Sequence, residues 1–182
     1  EFAEYIKLLC NGKSPSIIEI HPPFSDYTSS IDHFLKIYRV FEELILEQNQ
    51  KTQIFIENRF GSRYKGGKFI LSRGKDLRSL GEQIQEQNLS LRIAFDIPQF
   101  LSAYGGPQKL DLDALETILN RQNSLKSLVG SIHLWGKKKT DSGRLIAHAG
   151  DLNTFFGTIE KKDLFLKWFS NFLNDQDPKY FV

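Results

Sequence analysis

Residues 91–100 read LRIAFDIPQF, and the reading of this stretch decides the fold. A short apolar run with β-favouring side chains is closed within two positions by Pro98, which marks a buried strand rather than a helix. Yet the strand ends on a carboxylate, Asp96. The same design recurs in SIIEIHPP (16–23), which ends at His21, in TQIFIEN (52–58), which ends at Glu57, and in LVGSIHLWG (128–136), which ends at His133. His21, Glu57, Asp96 and His133 follow one another at intervals of 36, 39 and 37 positions. So steady a period marks a repeated supersecondary unit.

The segments between these runs carry helical periodicity. In 29–48, Ile31, Phe34, Leu35, Tyr38, Phe41 and either Leu44 or Ile45 fall on one face at spacings of three and four. Ser29 or Ser30 supplies the N-cap and Asp32 sits in the first turn. Residues 75–87, 110–122 and 161–175 read as further helices, the last with a stripe of Leu164, Phe165, Trp168, Phe169 and Phe172. Buried strands alternating with helices predict parallel β/α units. In a (β/α)8 barrel the active-site residues come from the C-terminal ends of several strands. The four strand-end side chains are therefore expected on one rim.

A complete barrel takes about 250 residues, and this chain has 182. The expectation is a partial barrel, a single domain over 1–182 cut at both ends, with KYFV (179–182) opening a further strand. Composition is that of a soluble globular protein, 40% hydrophobic and 25% charged. A net charge of +2 is too small to argue for nucleic acid by itself. Cys10 is the single cysteine, which excludes an internal disulfide and points to a reducing, cytoplasmic compartment.

His, Glu, Asp and His on adjacent strand ends offer nitrogen and oxygen ligands suited to Zn²⁺ or Mn²⁺. His33 lies on a helix, at its surface or half-buried, whereas His148 follows the fourth strand by a loop that can turn back to the rim. The loop after Glu57 carries Arg59, Arg63, Lys65, Lys68, Arg73 and Lys75. The loop after His133 carries Trp135, Lys137, Lys138, Lys139 and Arg144. Both leave the same rim, so positive charge and an aromatic ring are expected where a phosphate-bearing substrate such as DNA would lie.

The order HPP, IENRFG, FDIPQFLSAYGG, IHLWGKK and a later histidine, spanning about 15–157, resembles the endonuclease IV family of apurinic endonucleases, within the xylose isomerase-like TIM barrels. The resemblance implies that about strands 4 to 8 of such a barrel are present, and that the activity is metal-dependent cleavage of phosphodiesters in AP-site DNA, a DNA-repair hydrolysis. By the same resemblance His21 would bind one metal ion, Glu57 would bridge two and act in catalysis, Asp96 and His133 would hold the second, and His148 would serve a third. The family places a histidine where this chain has Gln99 and an aspartate where it has Ile146. The third site is therefore expected to be degenerate, leaving one or two ions of Zn or Mn. The family's final glutamate would fall just beyond Val182. Two alternatives stay open at this point: a metal-dependent sugar isomerase or epimerase on the same barrel, and a barrel that binds without catalysis.

Overall fold

The computed structural model describes residues 2–28, 30–61, 67–174, 177 and 179–182. After α1 (Phe2–Leu9) come β1 (Ile17–Ile20), α2 (Ile31–Gln48), β2 (Gln53–Glu57), α3 (Gly74–Glu86), β3 (Arg92–Asp96), α4 (Ile97–Ser102), α5 (Leu112–Asn120) and β4 (Val129–His133). The chain continues through β5 (Lys137–Lys139), β6 (Leu145–Ala147), α6 (Leu152–Phe156), α7 (Ile159–Leu173) and β7 (Tyr180–Phe181). One five-stranded sheet has the order β1-β2-β3-β4-β7, and every pairing in it is parallel. The four strands read from the sequence are thus neighbours in chain order. This is an α/β arc of a parallel β/α barrel.

Alternation along the strands explains both faces. Ile54, Ile56, Ile93, Phe95, Val129 and Ile132 are buried in one cluster with Leu77, Leu80, Leu115, Leu119, Phe165 and Phe172 of the covering helices. Their strand neighbours, Glu19 and His21, Phe55 and Glu57, Ala94 and Asp96, Ser131 and His133, point to the concave side. Sheet curvature follows from a side-chain contact between strands that are not paired: His133 Nε2 of β4 lies 2.9 Å from Glu19 of β1. Glu19 is in register with Phe55, and Phe55 with Arg92. His133 lies beyond that line, as strands tilted around a barrel require.

The helices close on the periodic residues. α2 starts at Ser30, whose hydroxyl accepts the His33 N–H, and buries Leu35, Tyr38 and Ile45, while Leu44 is exposed. The stripe therefore runs through Ile45 rather than Leu44. Glu42, on the same buried face, accepts hydrogen bonds from Tyr38 Oη (2.9 Å) and from the Ser90 backbone N–H (2.9 Å), tying α2 to the entry of β3. No described helix is long and apolar enough to cross a membrane.

One segment departs from the sequence reading. The basic stretch after His133 is not a plain loop, because β5 pairs antiparallel with β6. Three consecutive lysines carry no alternating apolar signal. The hairpin is set by its turn, where Thr140 Oγ1 accepts the Arg144 N–H at 3.0 Å and Gly143 takes a φ of +80°.

Gly130 marks an irregularity that shapes the concave face. Ile93 pairs with Val129 but Ala94 pairs with Ser131, so Gly130 is an extra residue, a bulge in β4. A Cβ there would come 2.5 Å from Phe55 Cε1. Gly130→Ala is therefore expected to destabilise the fold by about 1–3 kcal/mol through overpacking. Urea unfolding should show a lowered midpoint, and Phe55→Leu in the same chain should restore much of it. An unchanged midpoint would mean that Phe55 can move aside.

Candidate metal and active site

Period-two alternation puts Glu19 of β1 and His21, the residue that follows the strand, on one face, and the curl of the sheet brings that face to β2 and β4. Glu19, Glu57 and His133 each offer a ligand atom, and these atoms all lie within 4.8 Å of one another. His133 Nε2 is 2.9 Å from Glu19 Oε1, and its Nδ1 is 3.8 Å from Glu57 Oε1. The other oxygen of Glu57, Oε2, lies 2.9 Å from His21 Nε2. Arg59 Nη1 is also 2.9 Å from that nitrogen, and the guanidinium rests over the Phe69 ring.

Asp96 completes the inner part of the group. Its Oδ1 accepts the Gln99 N–H (2.8 Å), which starts α4, and its Oδ2 accepts the Trp135 indole N–H (3.0 Å). Asn58, fully buried, brackets the Asp96 backbone. Its Nδ2 donates to the Asp96 carbonyl and its Oδ1 accepts the Asp96 N–H, each at 2.9 Å.

Burial dominates the electrostatics. Desolvation pushes Glu57 up to about 7; Asp96 adds to the rise, and Arg59 and His133 oppose it. Desolvation likewise raises Asp96, against the hydrogen bonds from Gln99 and Trp135. His133 is raised, first by its hydrogen bond to Glu19 and then by the surrounding carboxylates. His21 is lowered by burial and by Arg59. Three carboxylates converging on one imidazole repel one another, and a divalent cation relieves that repulsion. The donor set of oxygens and one nitrogen suits Mn²⁺, Mg²⁺ or Zn²⁺. The residues present therefore fit such an ion.

A pH dependence follows for the protein held free of cations by a chelator. A carboxyl raised from its ordinary value to about 7 binds more protons folded than unfolded. Its contribution is present at low pH and is lost as pH rises through about 7. Asp96 and His133, also raised, act in the same direction; His21 opposes them weakly because its side chain is 58% exposed. Urea midpoints of the chelated protein should fall between about pH 5 and 8, by the order of 2 kcal/mol after solvent screening at the open rim. A midpoint rising across that interval would contradict this electrostatic picture.

The remaining expected site residues are distributed unevenly. Trp135 sits at the site, but its indole N–H is engaged by Asp96. The His148 ring lies 4.3 Å from the Trp135 ring and exposed, outside the Glu19–Glu57–His133 group. Lys137 Nζ lies over the Phe155 ring, while Lys138, Lys139 and Arg144 face solvent. Arg63 and Lys65 lie outside the described residues. Gln99 Oε1 accepts the Phe60 N–H (3.1 Å) and so anchors the loop after β2, and Ile146 is exposed on β6. Two residues escaped the sequence reading. Glu19 was signalled only by its place two residues before His21. Asn58 carried no signal beyond following Glu57.

No family model matches the chain, and no curated protein matches it. Solved structures do. The probable 3-DHS dehydratase AsbF from Bacillus anthracis, involved in petrobactin synthesis, superposes with a TM-score of 0.59 at 12% identity, covering 100% of this chain and 61% of that one. The structure of AsfvAP:AG superposes with a TM-score of 0.53 at 15% identity, covering 99% of this chain and 60% of that one. The chain thus spans about three fifths of the length of both. At these identities the likeness is one of fold alone, a TIM barrel in part.

Proposed function

We propose that the protein is a metal-dependent enzyme acting on a hydroxylated carbonyl compound, a sugar or hydroxy acid, by proton transfer between neighbouring carbons or by loss of water. The observation that carries this reading is the single compact set of Glu19, Glu57 and His133. These residues would hold one divalent cation, which supplies Lewis-acid polarisation of substrate oxygens when bound. Asp96, fixed by Trp135 and Gln99, sets the inner wall of the site. His21 Nε2 stands at the solvent-facing edge beside Glu57, where it can accept and return a proton. The Trp135 and His148 rings, 4.3 Å apart, give an aromatic wall beside the site against which a substrate can stack. A dehydratase on a like fold adds support by analogy only.

A second reading, phosphodiester cleavage in nucleic acid with two Zn²⁺ or Mn²⁺ ions, draws on one specific observation. The two oxygens of Glu57 face different histidines, Oε2 towards His21 and Oε1 towards His133, as a bridging carboxylate would. Against it weigh the outward-facing Lys138, Lys139 and Arg144 and the use of Gln99 to hold a loop.

The two separate in one experiment. Protein loaded with Mn²⁺ is incubated in D₂O with pentoses, hexoses and 3-DHS and followed by NMR; in parallel it is given duplex DNA with an abasic site. Deuterium entering a substrate carbon, or formation of a dehydrated product, is expected, with the DNA intact. Strand cleavage without any carbon exchange would replace the first reading by the second.

A further inference from the structure

On the convex side of the sheet, between the start of α3 and the end of α5, lies a cavity of about 210 Å³ whose charged lining consists of cations alone: Arg73, Lys75, Arg78 and Arg121. None of these four forms an ion pair among the described residues. Asp76, the nearest carboxylate in sequence, is folded back onto the backbone N–H groups of Arg73 (2.9 Å) and Ser72 (3.4 Å). Four cationic side chains around one cavity, with no anionic side chain in its lining, make a potential that favours an anion there. Two neutral groups complete the lining. Tyr104 Oη accepts the Gly74 N–H at 3.1 Å, which leaves its own hydrogen to donate. Gln122 is 1% exposed; its Nε2 donates to the Ile118 carbonyl at 2.9 Å, which fixes the amide orientation, and its Oε1 is buried without a partner. A buried carbonyl oxygen left unpaired is costly unless a ligand or water supplies a donor. The amide lies directly against Gly74, where an added Cβ would come 2.5 Å from Nε2.

We propose that this cavity is a second binding site, separate from the rim, for the phosphate group of a small phosphomonoester. Guanidinium groups and an ammonium group meet the phosphate oxygens, Tyr104 donates to one of them, and a P–OH or neighbouring hydroxyl of the ligand satisfies Gln122. The volume admits a phosphate with part of its substituent and not a continuous strand. Nothing here depends on the cation or the reaction assigned to the rim.

The test is calorimetric titration of the full chain with inorganic phosphate and with sulfate near neutral pH. Saturable phosphate binding is expected, tighter than sulfate binding because sulfate has no hydrogen to give to Gln122. The double variant Lys75→Ala/Arg121→Ala changes exposed side chains only and should weaken binding at least tenfold; Glu57→Gln should leave it unchanged. Gly74→Ala, which pushes the Gln122 amide, should also weaken it. Ribose 5-phosphate should compete, and an oligonucleotide without terminal phosphates should not. Absence of saturation up to roughly 10 mM phosphate, binding that survives the double variant, binding lost in Glu57→Gln, or competition by the oligonucleotide alone would overturn the proposal.

Discussion

Glu57→Gln is expected to weaken binding of Mn²⁺ or Zn²⁺ by more than about 100-fold, since even the residues that merely support a metal ligand are worth about 10–100-fold. Glu57 is buried to 5% exposure and, among the described residues, is the one side chain that pairs with both His21 (2.9 Å) and His133 (3.8 Å). Its amide counterpart keeps the shape and removes the charge. Two opposite shifts should follow. Without cation the variant should be more stable than the parent above about pH 7, because a buried carboxylate crowded by Asp96 is gone. With cation at about 100 times the parent's dissociation constant, the parent should gain about 2.7 kcal/mol and the variant almost nothing. Thermal or urea unfolding with and without Mn²⁺ reads both. An equal cation-induced gain in the two proteins would remove Glu57 from the site.

Asn58→Ala should produce the largest loss of stability among the site variants. The Asn58 side chain pairs with both the N–H and the C=O of Asp96, each at 2.9 Å. Asp96 is 1% exposed, so its N–H and C=O would each lose a buried hydrogen bond. At about 0.5–1.5 kcal/mol for each lost bond, and more where a group is left without any partner, the expected cost is about 1–4 kcal/mol. The same change loosens the β2–β3 junction directly beside Glu57, so cation affinity should fall by about 10–100-fold as well. Urea midpoints and cation titration measure the two effects separately. A variant as stable as the parent would mean that water takes over both hydrogen bonds.

The regular part of the molecule was legible because it follows local rules. Four apolar runs punctuated by prolines or polar rim residues, repeated at a near-constant interval, dictate parallel strands whose ends share a rim, and His21, Glu57, Asp96 and His133 lie there. What the sequence could not convey depends on curvature. Glu19 looks like a solvent-facing residue of an edge strand until the sheet curls and brings it to His133, three strands away. Asn58 is a buried amide whose value lies in backbone groups that only the folded β2–β3 junction places beside it. The lysines of 137–139 illustrate the converse. Their charge was plain in the sequence, but the β5–β6 hairpin turns Lys138 and Lys139 to solvent and lays Lys137 on Phe155. Gln99, which breaks the ligand pattern of the resembled family, has a local task in holding the Phe60 N–H.

Glu19, Glu57 and His133 are proposed to enclose a divalent cation, and anomalous diffraction from crystals grown with Mn²⁺ reads this without recourse to activity. The predicted result is one strong peak bounded by Glu19, Glu57 and His133, at about 2.0–2.3 Å from the ligand oxygens and nitrogen. A concave face without an anomalous peak, at a Mn²⁺ concentration that labels other surface carboxylates, would mean that these three residues hold no cation.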